Sequence, residues 1–305
     1  MVWHARVCHW APLLCASCFG LQYACTNPPG SVAAGWEPAV IAGEFQEVAV
    51  IDWELAGGTE KYICLREVLT ETTVARAWRS LAPKGTHHSF LSLSEAPDGV
   101  PDGVSECDAA TIGAQQLFLA AVSTEPDRAM PPGIGMKLPE GSQLLLNVHL
   151  FNVTDQPLRG RSGALAQLME EKDVVAFADN LSAGPTRLEI PPGPSTQHGT
   201  CTIGRDMTIF AVGPHMHQTG VAMQVVAHTR LYGDRTLFDG PFFFDDQHGY
   251  ALDLLQLSAG DTVDITCTYE NPSPRTLHWG GSSNDEMCSA SLIRFPAGGS
   301  SFCNK

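Results

Sequence analysis

The chain has 305 residues, 44% hydrophobic and 8% aromatic, enough apolar material for one large core or two medium ones. A formal net charge of -15 argues against a nucleic-acid partner or an anionic membrane surface, because neither finds the basic patch it needs. The 29 Gly and 21 Pro fall between short apolar runs, a pattern of β structure and not of long helices.

The first elements in the chain form a targeting segment. Basic Arg6 precedes the mostly apolar stretch Ala11 to Ala24, and Thr26-Asn27-Pro28-Pro29-Gly30 follows as a turn-rich break. Residues 1–25 therefore read as an export signal, too short and too interrupted to span a membrane. The run Leu21-Gln22-Tyr23-Ala24-Cys25 resembles a bacterial lipobox, with Gln22 and Tyr23 unusual for one. It makes Cys25 the candidate for lipidation; a plain cleaved signal with Cys25 unmodified is the alternative. The location expected is periplasmic, anchored to the outer membrane through that lipid, or extracellular.

Of the 10 Cys, Cys64, Cys107, Cys201, Cys267, Cys288 and Cys303 lie in the body of the chain. They are spaced too widely for metal clips, and an even number in an exported chain predicts disulfides, with pairings left open.

Strands are expected over Glu44 to Leu55, Glu60 to Glu67, Gln116 to Val122 and Gln143 to Asn152, with Glu71 to Leu81 either strand or short helix. Glu95 to Ser105 reads as a surface loop, and the Pro, Gly and Ser around Asn180 to Pro194 read as a linker. That linker divides an N-terminal region, 38–184, from a C-terminal one, 185–305. Further strands are expected at Thr208 to Val212, Val221 to Tyr232, Leu252 to Leu257, Thr262 to Tyr269 and Ser289 to Phe295. The fold class expected is all-β, with short strands at sandwich spacing.

Histidines carry the chemistry. His215 and His217 lie two apart at the end of an apolar run, so on a strand both point to one face and can meet one metal ion. Adjacent His87 and His88 would point to opposite faces of a regular strand, and sharing an ion requires a bulge or turn, which Gly85 makes available. His149 lies within a strongly apolar strand, where an imidazole alone reads as an ordinary core residue.

Taken together, His87-His88, Leu145-Leu146-Asn147-Val148-His149, His215-Met216-His217-Gln218-Thr219-Gly220 and Gly280-Gly281-Ser282-Ser283-Asn284-Asp285-Glu286-Met287-Cys288 resemble, in order, the copper type II, ascorbate-dependent monooxygenases. Peptidylglycine α-hydroxylating monooxygenase and dopamine β-monooxygenase belong to that family. The resemblance spans roughly Cys64 to Phe295 and implies two antiparallel, jelly-roll-like β-sandwich domains facing each other across a cleft. It implies two copper ions per chain. His87, His88 and His149 would hold an electron-transfer copper, and His215, His217 and Met287 an oxygen-binding one whose soft thioether favours Cu(I).

Catalysis would rest on no residue beyond these metal ligands. Dioxygen, a small-molecule substrate with a C–H bond to hydroxylate, and ascorbate or an equivalent one-electron donor would be the partners. The resemblance also pairs Cys64 with Cys107, Cys201 with Cys303 and Cys267 with Cys288. Gly213, Ser289 and Ser291 stand where the peptide-amidating branch carries Arg, Asn and Tyr to hold a carboxylate, so C-terminal peptide carboxylates are poor candidates. A non-catalytic exported copper-binding protein on the same fold is the main alternative. A cupin-like oxygenase lacks its expected Glu after His217, and a zinc hydrolase lacks an acidic residue adjoining His215 or His217 in the sequence.

Overall fold

The computed structural model describes residues 43–111, 113, 115–120, 127–244, 246–280, 284–299 and 301–303. The expected export signal and Cys25 lie outside the described residues, as do residues 121–122 of the strand expected from Gln116.

Chain order begins with β1 (Gln46–Leu55), β2 (Glu60–Val68), β3 (Thr73–Leu81), β4 (Thr86–Ser94) and β5 (Gly103–Glu106). There follow β6 (Gln115–Ala120), β7 (Arg128–Ala129), β8 (Ile134–Leu138), β9 (Gln143–Phe151), β10 (Leu158–Leu168) and β11 (Ala176–Phe177). One sheet runs β1-β10-β3-β8-β11 with β7 on β3, and a second runs β5-β2-β9-β4-β6. Alternation explains β1, whose Ala49, Ile51, Trp53 and Leu55 are buried while Asp52 and Glu54 face solvent. Ile51, Trp78, Leu91, Leu144 and Leu146 fill the first core.

The segment read as strand or helix before Leu81 is strand β3. β10 escaped the sequence reading because Arg, Gly and Ser interrupt its apolar residues. Its Gly163, at φ +156°, is required by packing, since a Cβ there would collide with the Ala49 carbonyl of β1.

The remaining strands are β12 (Asp179–Ala183), β13 (Glu189–Ile190), β14 (Gly193–Thr202), β15 (Met207–Met216), β16 (Gly220–Thr229) and β17 (Gly233–Pro241). Then come β18 (Tyr250–Leu257), β19 (Thr262–Asn271), β20 (Leu277–His278), β21 (Cys288–Phe295) and β22 (Phe302–Cys303). They build the sheets β18-β15-β21-β12-β22 and β14-β19-β16-β17, with β13 paired to β20. Ile209, Val212, Val225, Ile265 and Leu292 lie in the second core. A bulge between Ile209 and Ala211 turns Phe210 out of it and into the first core, so β15 contributes to both.

The stretch read as a linker begins as strand. Asp179–Ala183 pairs along its length with Arg294–Ala290 of β21, and the buried Arg294 guanidinium clasps the Asp179 carboxylate at 2.7 Å. Gly and Pro suggested a loop, but the partner that makes this segment a strand lies more than a hundred residues away.

All three disulfides are those the resemblance implied: Cys64 with Cys107, Cys201 with Cys303, and Cys267 with Cys288. The last joins β19 to β21 across the second core. Helix is confined, among the described residues, to the single turn Glu171–Asp173.

Candidate functional site

Strand register assembles the first centre. His149 on β9 stands directly across from His88 on β4 and from Tyr62 on β2, and residues directly opposite share a face. That face is the one turned away from Val148 and Leu150, which are buried in the first core. His87 would point the other way on a regular strand, but the β4 to β9 register slips between Thr86 and His88. The bulge, next to Gly85 at φ +101°, brings the His87 ring round. His87 Nδ1 lies 2.9 Å from His88 Nδ1 and 3.1 Å from His149 Nδ1, and the donor atoms of all three residues fall within 4.8 Å of one another.

Lone-pair nitrogens aimed at each other repel unless a proton or a cation sits between them, and one proton cannot serve three. The set therefore fits a metal ion, and three neutral imidazoles suit copper in either oxidation state. Burial, reinforced by the neighbouring rings of His149, His87 and His215, pushes His88 down to about 3, so it stays neutral and available as a ligand at physiological pH. His149 Nε2 points away to Glu60 Oε1 at 2.6 Å, which holds the proton on Nε2 and leaves Nδ1 bare. The Tyr62 ring stacks flat on the His149 ring, centroids 4.1 Å apart.

The second pair is held with the opposite nitrogen outward. β15 loses its β18 neighbour after Val212, and Pro214 lies beyond that point, so the missing N–H falls toward the strand's rim. His215 and His217 follow on one face, ring centroids 5.2 Å apart. His215 Nδ1 lies 2.7 Å from Gln247 Oε1, and His217 Nδ1 lies 3.1 Å from the Asp285 carbonyl. Both Nδ1 atoms are engaged as donors, so both Nε2 lone pairs face outward for a metal. Burial, then the neighbouring His217, lowers His215 to about 4, while the Gln247 hydrogen bond works the other way.

The β15 to β21 ladder ends at Met216 opposite Cys288. His217 and Met287 are the next residues on either side, on the face that already carries His215 and Ser289. Gly213 lies across from Ser291, so the floor before His215 is small and uncharged. Behind it, Pro214, Phe238, Phe242, Gln247 and Tyr250 line a cavity of about 240 Å³.

Phe90 stands between the two centres. Its ring meets His88 edge-on at 5.5 Å and His215 edge-on at 6.5 Å. The other body histidines have ordinary partners: His198 bonds Thr266, His228 bridges Asp234 and Asp264, His248 pairs with Asp246, and His278 meets the Leu188 carbonyl.

Residues 181–305, which contain the second pair and Met287, match the family model described as copper type II ascorbate-dependent monooxygenase, C-terminal domain. These residues belong to the copper type II, ascorbate-dependent monooxygenase family. No curated protein matches the chain. The matched stretch begins within β12 and takes in β13 to β22.

Several residues around the two histidine clusters were not legible in the sequence. Glu60, Tyr62, Phe90 and Gln247 reach the histidines only through strand pairing or loop return. Glu286 had a signal, its place beside Met287, but the acidic residue judged absent near His217 is there in space. Its carboxylate accepts the His217 backbone N–H at 3.0 Å. Being fully buried and occupied by donors, it cannot serve as a solvent-facing general base.

Proposed function

We propose that the protein is an exported copper-dependent monooxygenase. It hydroxylates a C–H bond of a small organic substrate with dioxygen and an ascorbate-like one-electron donor. The observation that carries this is the convergence of His87, His88 and His149 in a chain whose other histidine pair lies within the family's C-terminal domain. Overall, substrate, dioxygen, two electrons and two protons yield the hydroxylated product and water.

In this reading His87, His88 and His149 hold one copper through Nδ1, and His215 and His217 through Nε2, with the Met287 thioether, hold the other. When bound, copper supplies one-electron redox chemistry at the first centre and dioxygen activation at the second. The protein's own part is positional. Glu60 and Gln247 fix the tautomers of His149 and His215, burial keeps His88 and His215 uncharged, and the Phe90 ring stands between His88 and His215.

The neutral floor of Gly213, Ser289 and Ser291 offers no partner to a carboxylate, which favours an uncharged reacting end on the substrate. Two jelly-roll-like β-sandwich domains, one per core and meeting at a cleft, are the architecture we assign, with their division near the start of β12. Three disulfides accord with export to the periplasm, outer membrane or medium.

Oxygen uptake dependent on copper, ascorbate and a member of a substrate panel tests the reading. Met287→Ile is expected to abolish uptake and weaken Cu(I) binding at its own centre only. His149→Ala is expected to leave carbon monoxide binding at the second centre intact while turnover falls. Full activity in Met287→Ile, or copper at only one centre in the reduced wild type, would overturn it.

A further inference from the structure

We propose that Glu286 is a positioning residue for the second centre: its buried carboxylate ties together the two chain segments that present His217 and Met287. The inference rests on Met287 being a ligand, as read above. Past the last rung of the β15 to β21 ladder, Met216 opposite Cys288, the two strands part, and the backbone N–H groups beyond it lose their sheet partners.

Glu286 takes over where the ladder stops. Its Oε2 accepts the His217 N–H at 3.0 Å and the Met287 N–H at 3.3 Å, while Oε1 accepts the Thr219 N–H at 2.7 Å and the Thr219 hydroxyl at 2.8 Å. The side chain has no exposure to solvent, and none of these four partners is a cation. An acidic side chain is buried without a countercharge only where donors fill its acceptor sites, so the arrangement is built and specific.

The residue is also anchored from behind. Glu286 N–H donates to the His278 carbonyl at 3.0 Å, and its own carbonyl accepts the Gly280 N–H at 3.2 Å, joining it to the β20 end. Its neighbours complete the clamp. The Asp285 carbonyl takes His217 Nδ1, the Tyr269 hydroxyl donates to the Met287 carbonyl at 2.7 Å, and Cys288 is covalently tied to Cys267. Each residue from Asp285 to Cys288 thus bears on the spacing between the His pair and the thioether.

A thioether is the weakest donor of the three, so it is the first to be lost when that spacing relaxes. Because the soft ligand favours Cu(I), the reduced-state affinity falls before the oxidised-state affinity. Glu286→Gln preserves shape but puts an amide NH2, which accepts nothing, against two of the four donors. Outer-shell changes of this kind cost about 10- to 100-fold in metal affinity, and that is the expected loss of Cu(I) binding at this centre. Copper–sulfur scattering in X-ray absorption of the reduced protein should fade with it, while the His87/His88/His149 centre stays loaded and the thermal melt remains cooperative.

Thr219→Val removes a single donor from the carboxylate and provides the second test should Glu286→Gln not fold. It is expected to show the same loss of sulfur scattering in weaker form, with up to about a tenfold loss of Cu(I) affinity. Absence of copper–sulfur scattering in the wild type would defeat the assignment of Met287 as a ligand. Scattering in the wild type that persists in Glu286→Gln, or in Thr219→Val where that variant alone folds, with unchanged Cu(I) affinity, would overturn the role of Glu286 and leave Met287 in place.

Discussion

Replacing Glu60 with Leu isolates what a single outer carboxylate does for the copper site proposed at His87, His88 and His149. Glu60 Oε1 lies 2.6 Å from His149 Nε2 and holds the proton there, which leaves Nδ1 bare and directed at His87 Nδ1. A hydrogen bond to a charged group contributes about 1.5–3 kcal/mol where it is sheltered. The Glu60 side chain is 55% exposed, so screening brings the figure just below that range, to about 1.4 kcal/mol. That corresponds to about a tenfold loss of copper affinity, at the lower edge of what outer partners of metal-bound histidines usually cost.

Glu60→Gln separates the two contributions, since the amide oxygen still accepts the Nε2 proton but carries no charge. Its loss should be about threefold or less, and should shrink as salt is raised. Competitive titration against a copper chelator in a His215→Ala background reads the first centre alone. Unchanged affinity in Glu60→Leu would refute the tautomer argument. So would Glu60→Gln falling as far as Glu60→Leu, because then the hydrogen bond retained by Gln would count for nothing.

Asp179→Ala strips a buried guanidinium of its carboxylate, the Arg294 side chain being only 3% exposed, and should cost about 3–5 kcal/mol in urea unfolding with the m-value unchanged. A loss under about 1 kcal/mol would mean that β12 is not pinned by this pair. The metal-free protein should lose stability on acidification between about pH 6.5 and 4. His88 and His215 have folded values of about 3 and about 4, below the ordinary value of 6.5, so in this window the unfolded chain binds protons that the folded one refuses. Each ring then contributes up to about 2 kcal/mol of loss at about pH 5, and a stability difference between the parent and His88→Ala or His215→Ala that stays constant across this window would contradict the burial assigned to them. Opening the Cys267–Cys288 bridge with paired Ser substitutions frees a loop of 21 residues and should cost about 3 kcal/mol in the same denaturation assay, a change below about 1 kcal/mol counting against it.

What this sequence determined by itself is what a short window of chain determines. Alternation in β1, the apolar run of β9 and the turn residues between strands declare β structure, because side chains two apart share a face whatever lies opposite. The same rule placed His215 and His217 together and required the bulge at His87, both of which the structure contains. The family motifs added the disulfide pairing, which cysteine spacing alone left open.

Tertiary structure decided which strands lie side by side, and with that nearly everything surrounding the histidines. Glu60 and Tyr62 precede His149 by more than eighty residues and meet it only because β2 pairs with β9 in one register. Phe90 faces His215, Gln247 returns from a loop, and Asp179 becomes strand only beside β21. Glu286 sits one residue from Met287, yet its role depends on donors from a segment some seventy residues earlier. Side-chain alternation is a property of each strand's own backbone, whereas pairing is settled by hydrogen bonds and burial between segments far apart in the chain, so no local stretch of sequence contains it.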